Sequence, residues 1–334
     1  MSPGSAPRAL ACAVLLLLPL TACGAAEGDP PGAGSAPQAE EGAFPVTIEH
    51  EFGSTTVEEE PERVVTLGVT DADAVLALGV VPVGNTGYVF YESGLGPWTD
   101  ELVKGSELTR IDSDSEPNIE QIANLAPDLI IGISAGFDGK VYENLSRIAP
   151  VIARPAGSAA YTVPREEATE VIATALGRPE EGAELNEATD ELLERTRAEY
   201  PGFAGLTGTA VLPYDGRYGA YLPGDARGRF LLSLGFEVPE AIAERDDGDD
   251  FFVELSTERV DLLDGDLLLV MSEDEDFDIT EGASVFDTLD VVREDAVVTT
   301  TLDERGAVTY NSVLSVPYAL DHLVPRIDDA LSQG

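Results

Sequence analysis

Three stretches of this sequence occur twice, in the same order, and that duplication holds the chain to two halves of one design. Glu120-Gln-Ile-Ala-Asn-Leu-Ala-Pro-Asp-Leu-Ile-Ile sets against Glu258-Arg-Val-Asp-Leu-Leu-Asp-Gly-Asp-Leu-Leu-Leu, pairing Glu120 with Glu258, Ile122 with Val260, Leu125 with Leu263 and Asp128 with Asp266. The apolar runs that follow coincide, and Ser134 meets Ser272. Upstream, Val75-Leu-Ala-Leu-Gly79 matches Leu231-Leu-Ser-Leu-Gly235; downstream, Tyr142-Glu-Asn-Leu145 matches Phe286-Asp-Thr-Leu289. A single match is chance, whereas three in order describe two lobes, far from a short-period solenoid.

Each half reads as α/β. In the first, Val64–Val69 is a buried-strand run, and Ala72, Val75, Leu76 and Leu78 space out a helix that Gly79 stops. Val81-Pro-Val83 is expected to be a short strand, Ile119–Leu125 a short helix ended by Pro127, and Leu129–Ile133 a continuous apolar strand covered on both faces. Pro150–Ala153 supplies another strand. The second half repeats this with Ala210–Leu212, a helix at Phe230–Leu234, and strands at Leu267–Met271 and Val297–Thr299. An amphipathic helix from about Val316 to Leu331 closes the chain. Between the halves, Pro179–Tyr200 is expected to be one helix with Leu185, Ala188, Leu192 and Thr196 on its buried face and a Glu191–Arg195 pair outside. Two similar Rossmann-like lobes joined by one long α-helix follow, a single strut that predicts small closure motions.

The first 22 residues are an address. Arg8 precedes the apolar run Ala9–Leu20, and small residues follow at Thr21 and Ala22, the layout of a secretory signal. Leu20-Thr21-Ala22-Cys23 with Gly24 resembles the bacterial lipobox, in which the cysteine is acylated and becomes the first residue. Cys12 leaves with the signal, so Cys23 has no partner for an internal disulfide, and acylation gives it a use. Gly, Pro, Ala and acid dominate the next stretch, a flexible tether over 23–43. The expected layout is then a first lobe at 44–164, a helical connector at 165–202 and a second lobe at 203–334. Acids outnumber cations 63 to 19, giving a formal charge of −44, which makes nucleic acid and anionic lipid surfaces poor partners. The same charge predicts self-repulsion that salt relieves.

The residues resemble a known family. Phe44-Pro-Val-Thr-Ile-Glu-His-Glu-Phe-Gly with Glu60-Pro-Glu-Arg-Val-Val-Thr-Leu is similar to the lead-in of the ferric-siderophore-binding proteins of ABC importers. Glu116-Pro-Asn-Ile-Glu-Gln-Ile with Pro127-Asp-Leu-Ile-Ile is similar to their most recognisable motif; Leu255-Ser-Thr-Glu-Arg-Val-Asp-Leu-Leu and Leu314-Ser-Val-Pro-Tyr-Ala-Leu-Asp match their C-terminal half. The resemblance runs from Phe44 onward. It implies a monomeric lipoprotein on the outer face of the cytoplasmic membrane that binds a ferric siderophore, works with permease subunits and has no cofactor of its own. It also implies that one exposed glutamate per lobe, Glu120 and Glu258, docks on arginines of the permease. An acid in the first turn of a helix is favoured by the macrodipole in any case, but these are the two positions that the duplication superposes. Haem and cobalamin are alternatives within the class.

No His, Cys, Asp and Glu group has metal-ligand spacing, so a bare transition metal is not the expected cargo. A wrapped chelate calls for aromatics with a few polar or cationic groups, set in loops that follow strands. Tyr88, Trp98 and Phe137 are the candidates in the first lobe. Tyr214, Arg217, Tyr218, Tyr221 and Arg227 are those of the second, in a loop after Ala210–Leu212. Few cations and an acidic surface favour a neutral or cationic hydroxamate chelate. Gly94-Leu-Gly96 follows no strand and is no phosphate loop; Asp112 to Glu116 lacks the glycine of a calcium loop, Pro117 standing in its place; the acidic runs at 246–250 and 273–276 read as solvated loops. Neither a nucleophile elbow nor a Cys/His pair is present, which weighs against the rival reading as an anchored α/β hydrolase. A surface sensory module is the other rival.

Overall fold

The computed structural model describes residues 38–113, 116–246, 250–272, 274, 276–281 and 285–333; the expected signal, Cys23 and most of the tether lie outside them. The chain is already tied down before Phe44. Glu40 N–H donates to Gly177 O (2.8 Å), and its carboxylate accepts the N–H of Glu180 (2.7 Å).

In the first lobe, an antiparallel pair, β1 (Val46–His50) and β2 (Gly53–Val57), precedes a five-stranded sheet. That sheet holds β3 (Val64–Thr66), β4 (Gly84–Asn85), β5 (Thr109–Arg110), β6 (Leu129–Gly132) and β7 (Val151–Ala153), all parallel, in the order β5-β4-β3-β6-β7. Helices α1 (Asp71–Ala77), α2 (Asp100–Val103), α3 (Ile119–Asn124), α4 (Gly139–Leu145) and α5 (Arg165–Ala175) connect its strands or pack beside them. Alternate residues serve opposite faces: Val64, Leu129 and Ile131 join one core cluster, Val65 and Ile130 the other. This is why β6 reads as an unbroken apolar run.

After α6 (Pro179–Glu199), the second sheet follows with β8 (Gly208–Tyr214), β9 (Arg217–Tyr221), β10 (Phe252–Ser256), β11 (Leu267–Val270) and β12 (Val297–Thr299), ordered β10-β9-β8-β11-β12. Its helices are α7 (Ala226–Ser233), α8 (Glu240–Ala243), α9 (Asp290–Arg293), α10 (Leu302–Tyr310), α11 (Ser315–His322) and α12 (Val324–Gln333). The duplication has a structural counterpart at two of the three matched blocks. Gly79 and Gly235 end α1 and α7 with left-handed backbone, φ +76° and +101°, where a glycine carries no Cβ penalty. Val80 N–H then bonds Val75 O (3.1 Å) and Phe236 N–H bonds Leu231 O (3.3 Å). The carboxylate of Asp128 accepts the N–H groups of Glu62 and Arg63 (both 2.9 Å) just before β3. That of Asp266 accepts the N–H (2.7 Å) and hydroxyl (2.8 Å) of Thr207 just before β8. Each aspartate thus clamps the chain entering the strand next to its own.

The two sheets differ on one side. The segment Tyr214–Tyr221, expected as a loop, is a β-hairpin: Asp215 and Gly216 both have positive φ, +46° and +73°, which is what a two-residue hairpin turn requires. Strand β9 therefore runs antiparallel to β8, and β10 antiparallel to β9, where β4 and β5 of the first lobe are parallel. Two other expectations shift. Pairing beside β3 centres on Gly84 and Asn85 rather than on Val81–Val83, because Pro82 has no N–H to give and Val81 faces outward. The closing helix is two helices, α11 and α12, broken at Leu323, since Pro325 would clash with the carbonyl of Asp321 if the helix ran on.

Helix α6 spans about 31 Å at 1.5 Å per residue. Leu185 packs against the first lobe's core, Leu192 and Leu193 against the second's. Its buried stripe is Gly182, Thr189, Leu193 and Thr196; Ala188, expected inside, is exposed. The connector expected over 165–202 divides here, since α5 sits in the first lobe's core through Ala168, Ile172 and Ala173. At Gly182 a Cβ would stand 2.3 Å from that of Ala173, so the α5–α6 crossing requires the glycine. Gly182→Val should cost about 1–3 kcal/mol by overpacking, read as a lower urea midpoint with an unchanged slope.

Candidate ligand-binding cleft

The ends of β3 and β6 turn towards the second lobe, and one buried side chain sews them together. The carboxylate of Asp71 accepts the N–H groups of Gly68 (3.0 Å), Ile133 (3.0 Å) and Ser134 (2.9 Å). Thr70 and Ser134 then present hydroxyls 2.6 Å apart. Facing them, the second lobe offers the start of α7 and the end of α10. Asp225 caps α7 by accepting the N–H of Arg227 (2.8 Å), and it also grips that residue's guanidinium from Nε (2.6 Å) and from the far nitrogen (2.7 Å). The remaining guanidinium nitrogen donates to the Tyr221 hydroxyl (2.8 Å), and the group lies 3.9 Å over the Tyr221 ring. Burial pushes the Tyr221 phenol up to about 12. Gly228 lets this turn close, because a Cβ there would sit 2.1 Å from Leu222 O.

These walls bound an interlobe cavity of about 360 Å³, lined on the first lobe by Thr70, Tyr88, Ser134, Tyr161 and the Arg165 face of α5, and on the second by Asp225, Arg227, Arg229 and residues 309–312. A second cavity of about 520 Å³ adjoins it within the first lobe, lined by Arg110 and Phe137 among others, and the two share Val69, Gly87, Val89 and Tyr161. Tyr161 has a backbone φ of +66°, unusual for a bulky residue and of the kind that gathers at functional sites. Its ring lies against Gly136, where a Cβ would approach it to 2.7 Å.

Below the cavity the lobes meet in a polar seam. Tyr310 donates its hydroxyl to Gly94 O (2.7 Å) and accepts the N–H of Tyr88 (2.9 Å). The indole N–H of Trp98 donates to Asp73 Oδ2 (2.8 Å), and the Ser312 hydroxyl donates to the same oxygen from the other lobe. Oδ1 of Asp73 has no partner among the described residues, and burial pushes this carboxyl up to about 7.

Of the residues singled out from sequence, the structure brings Tyr88 and Arg227 to the interlobe cavity and Phe137 to its neighbour. Trp98 lies one layer behind, in the seam against Tyr310 and Tyr318, and Tyr221 lies beneath Arg227. The other three line neither cavity. Tyr218 is packed in the second lobe's core against Phe286, while Tyr214 and Arg217 sit at the hairpin tip and bond Glu254. Arg165, Tyr161, Tyr310 and Ser312 were not legible as site residues. Only the last two carried a signal, standing just before the Leu314-Ser-Val-Pro-Tyr motif. Glu120 and Glu258 are exposed, each in the first turn of the helical segment before β6 or β11. Among the described residues no group of three or more His, Cys, Asp or Glu is placed to hold a metal ion, and no helix is long and apolar enough to cross a membrane.

Residues 64–298 match the family described as periplasmic binding protein. The chain belongs to that family. Among its relatives, the Fe(3+)-citrate-binding protein YfmC of Bacillus subtilis is 29% identical over 228 residues, covering 68% of each chain. Among solved structures, a periplasmic solute binding protein from Mycobacterium smegmatis superposes with a TM-score of 0.76 at 31% identity, over 86% of this chain and 98% of that one. PiaA of Streptococcus pneumoniae in complex with ferrichrome superposes with a TM-score of 0.76 at 25% identity, over 86% of this chain and 99% of that one. The binding-protein fold explains why the cavity sits between two lobes of one design and why a single helix braces them.

Proposed function

We propose that this periplasmic binding protein captures a ferric siderophore between its lobes and delivers it to the permease of an ABC importer, without catalysing a reaction. The observation that carries the reading is the cavity itself, walled by both lobes with hydroxyl, aromatic and guanidinium groups. Ligands named for its relatives, ferric citrate and ferrichrome, support the same class. The signal and Cys23 point to acylation and an anchor on the outer face of the cytoplasmic membrane, with Glu120 and Glu258 as the contacts to the permease.

Trp98 is the sole tryptophan, and it lies in the seam beneath the cavity, touching residues of both lobes. Closure on a chelate should therefore change its emission. The titration uses the mature protein against ferric citrate, ferrichrome, ferrioxamine, haem and cobalamin. A saturable change with a ferric chelate at one-to-one stoichiometry is expected; saturation by haem or cobalamin alone would refute the siderophore reading.

A further inference from the structure

We infer that the interlobe cavity selects a ferric chelate of net negative charge, a ferric α-hydroxycarboxylate of the citrate type, over a neutral or cationic trihydroxamate. The inference rests on the reading of this cleft as a ferric-chelate site and names the chemistry that the site prefers. It reverses the expectation drawn from the acidic surface.

The chain carries a formal charge of −44, yet the cavity is lined by three guanidinium groups, Arg165, Arg227 and Arg229, against one carboxylate, Asp225. Arg227 uses up that carboxylate. Arg229 donates to Gly224 O (2.6 Å) and has no carboxylate partner among the described residues. Burial lowers its pKa, so its charge is poorly compensated. Arg165 is 9% exposed; one of its nitrogens pairs with Glu166 and Asp190, and its Nε has no partner. A guanidinium that lines the cavity without a carboxylate partner, as that of Arg229 does, takes a ligand carboxylate as a bidentate fork. The hydroxamate face of a neutral chelate is a weaker acceptor. A cationic chelate would set like charges together and be disfavoured.

Calorimetric titration of the mature protein with ferric citrate, neutral ferrichrome and cationic ferrioxamine B tests this, with Arg229→Gln, Arg229→Lys and Arg165→Gln titrated alongside. Ferric citrate is expected to bind tightest. Arg229→Gln should weaken it by about 10–100-fold and leave ferrichrome within about threefold, Arg229→Lys should recover part of the loss, and Arg165→Gln should act in the same direction. Tighter binding of ferrichrome or ferrioxamine B, or equal weakening of all three chelates by Arg229→Gln, would overturn the charge selection while leaving the siderophore reading in place. Failure of all three to bind would overturn that reading, and this inference with it.

Discussion

Reversing the charge of Glu120 and Glu258 together is expected to abolish cellular uptake of the chelate while leaving the purified protein's affinity for it unchanged. Both glutamates are exposed, and neither lines the cavity. They occupy equivalent places: α3 leads into β6 and the segment Thr257–Leu263 into β11, and each of those strands lies between a lobe's first parallel strand and its last. A docking surface that reads both lobes at once senses their relative placement, which is how a permease could tell a loaded protein from an empty one. On the docking role proposed above, an arginine at either position both removes a charge pair with the permease and adds repulsion. A single such loss costs about 2–5 kcal/mol, so one reversal should impair uptake and two should reduce it to the level of a strain without the protein. Uptake of labelled iron by cells, read beside a titration of the purified variant, makes the measurement. Normal uptake by the double variant would remove both residues from the docking role.

The second large effect concerns Asp73. Buried between Trp98 and Ser312 and near Tyr310, its carboxyl is raised in the folded protein from 3.8 to about 7 by loss of solvent. The folded state therefore holds a proton that the unfolded chain gives up at lower pH. Folding takes up a proton between roughly pH 4 and 7, and the contribution of this group falls as pH rises through that window. At 1.36 kcal/mol per unit, the loss is on the order of 4 kcal/mol. Asp73→Asn keeps the shape and cannot titrate. The stability of the parent protein minus that of the variant, from urea unfolding at pH 4.5 and 7.5, should decline by that order towards the higher pH. The many surface acids cancel in the difference. A gap that stays constant with pH would show that Asp73 keeps its ordinary titration. Because Ser312 comes from the other lobe, the same ionisation should loosen the seam below the cavity.

The duplication was the most legible feature of the sequence because its matched residues do the same jobs twice. Gly79 and Gly235 close helices, and Asp128 and Asp266 clamp neighbouring strands. Such roles need particular residue types, so they survive as repeats. The hairpin at Asp215-Gly216 was equally readable in principle, being a strong turn dipeptide between alternating apolar residues. The expectation of a loop after β8 came instead from the tendency of open α/β sheets to place ligands in loops that follow strands. That error carried Tyr214 and Arg217 into the candidate site, although the chain reversal takes both to the hairpin tip.

One of the cavity's arginines was less legible for another reason. Arg165 looks like any helical surface cation until folding places it in the cleft and removes solvent from it. Composition favoured a neutral or cationic chelate, yet the local lining runs against the global charge. Tyr161 had no local signal at all, since its left-handed backbone follows from its position over Gly136. The aromatics fared better as a class than as individuals: Tyr88 and Phe137 reach the cavities, while Trp98 and Tyr221 support them from behind.

Diffraction at the iron absorption edge from crystals of the ferric chelate complex tests the central claim most directly. A single iron peak is expected in the interlobe cavity, between the hydroxyls of Thr70 and Ser134 and the guanidinium of Arg229. An iron peak at the hairpin tip beside Tyr214 and Arg217, or on one lobe alone with the cavity unchanged, would contradict it.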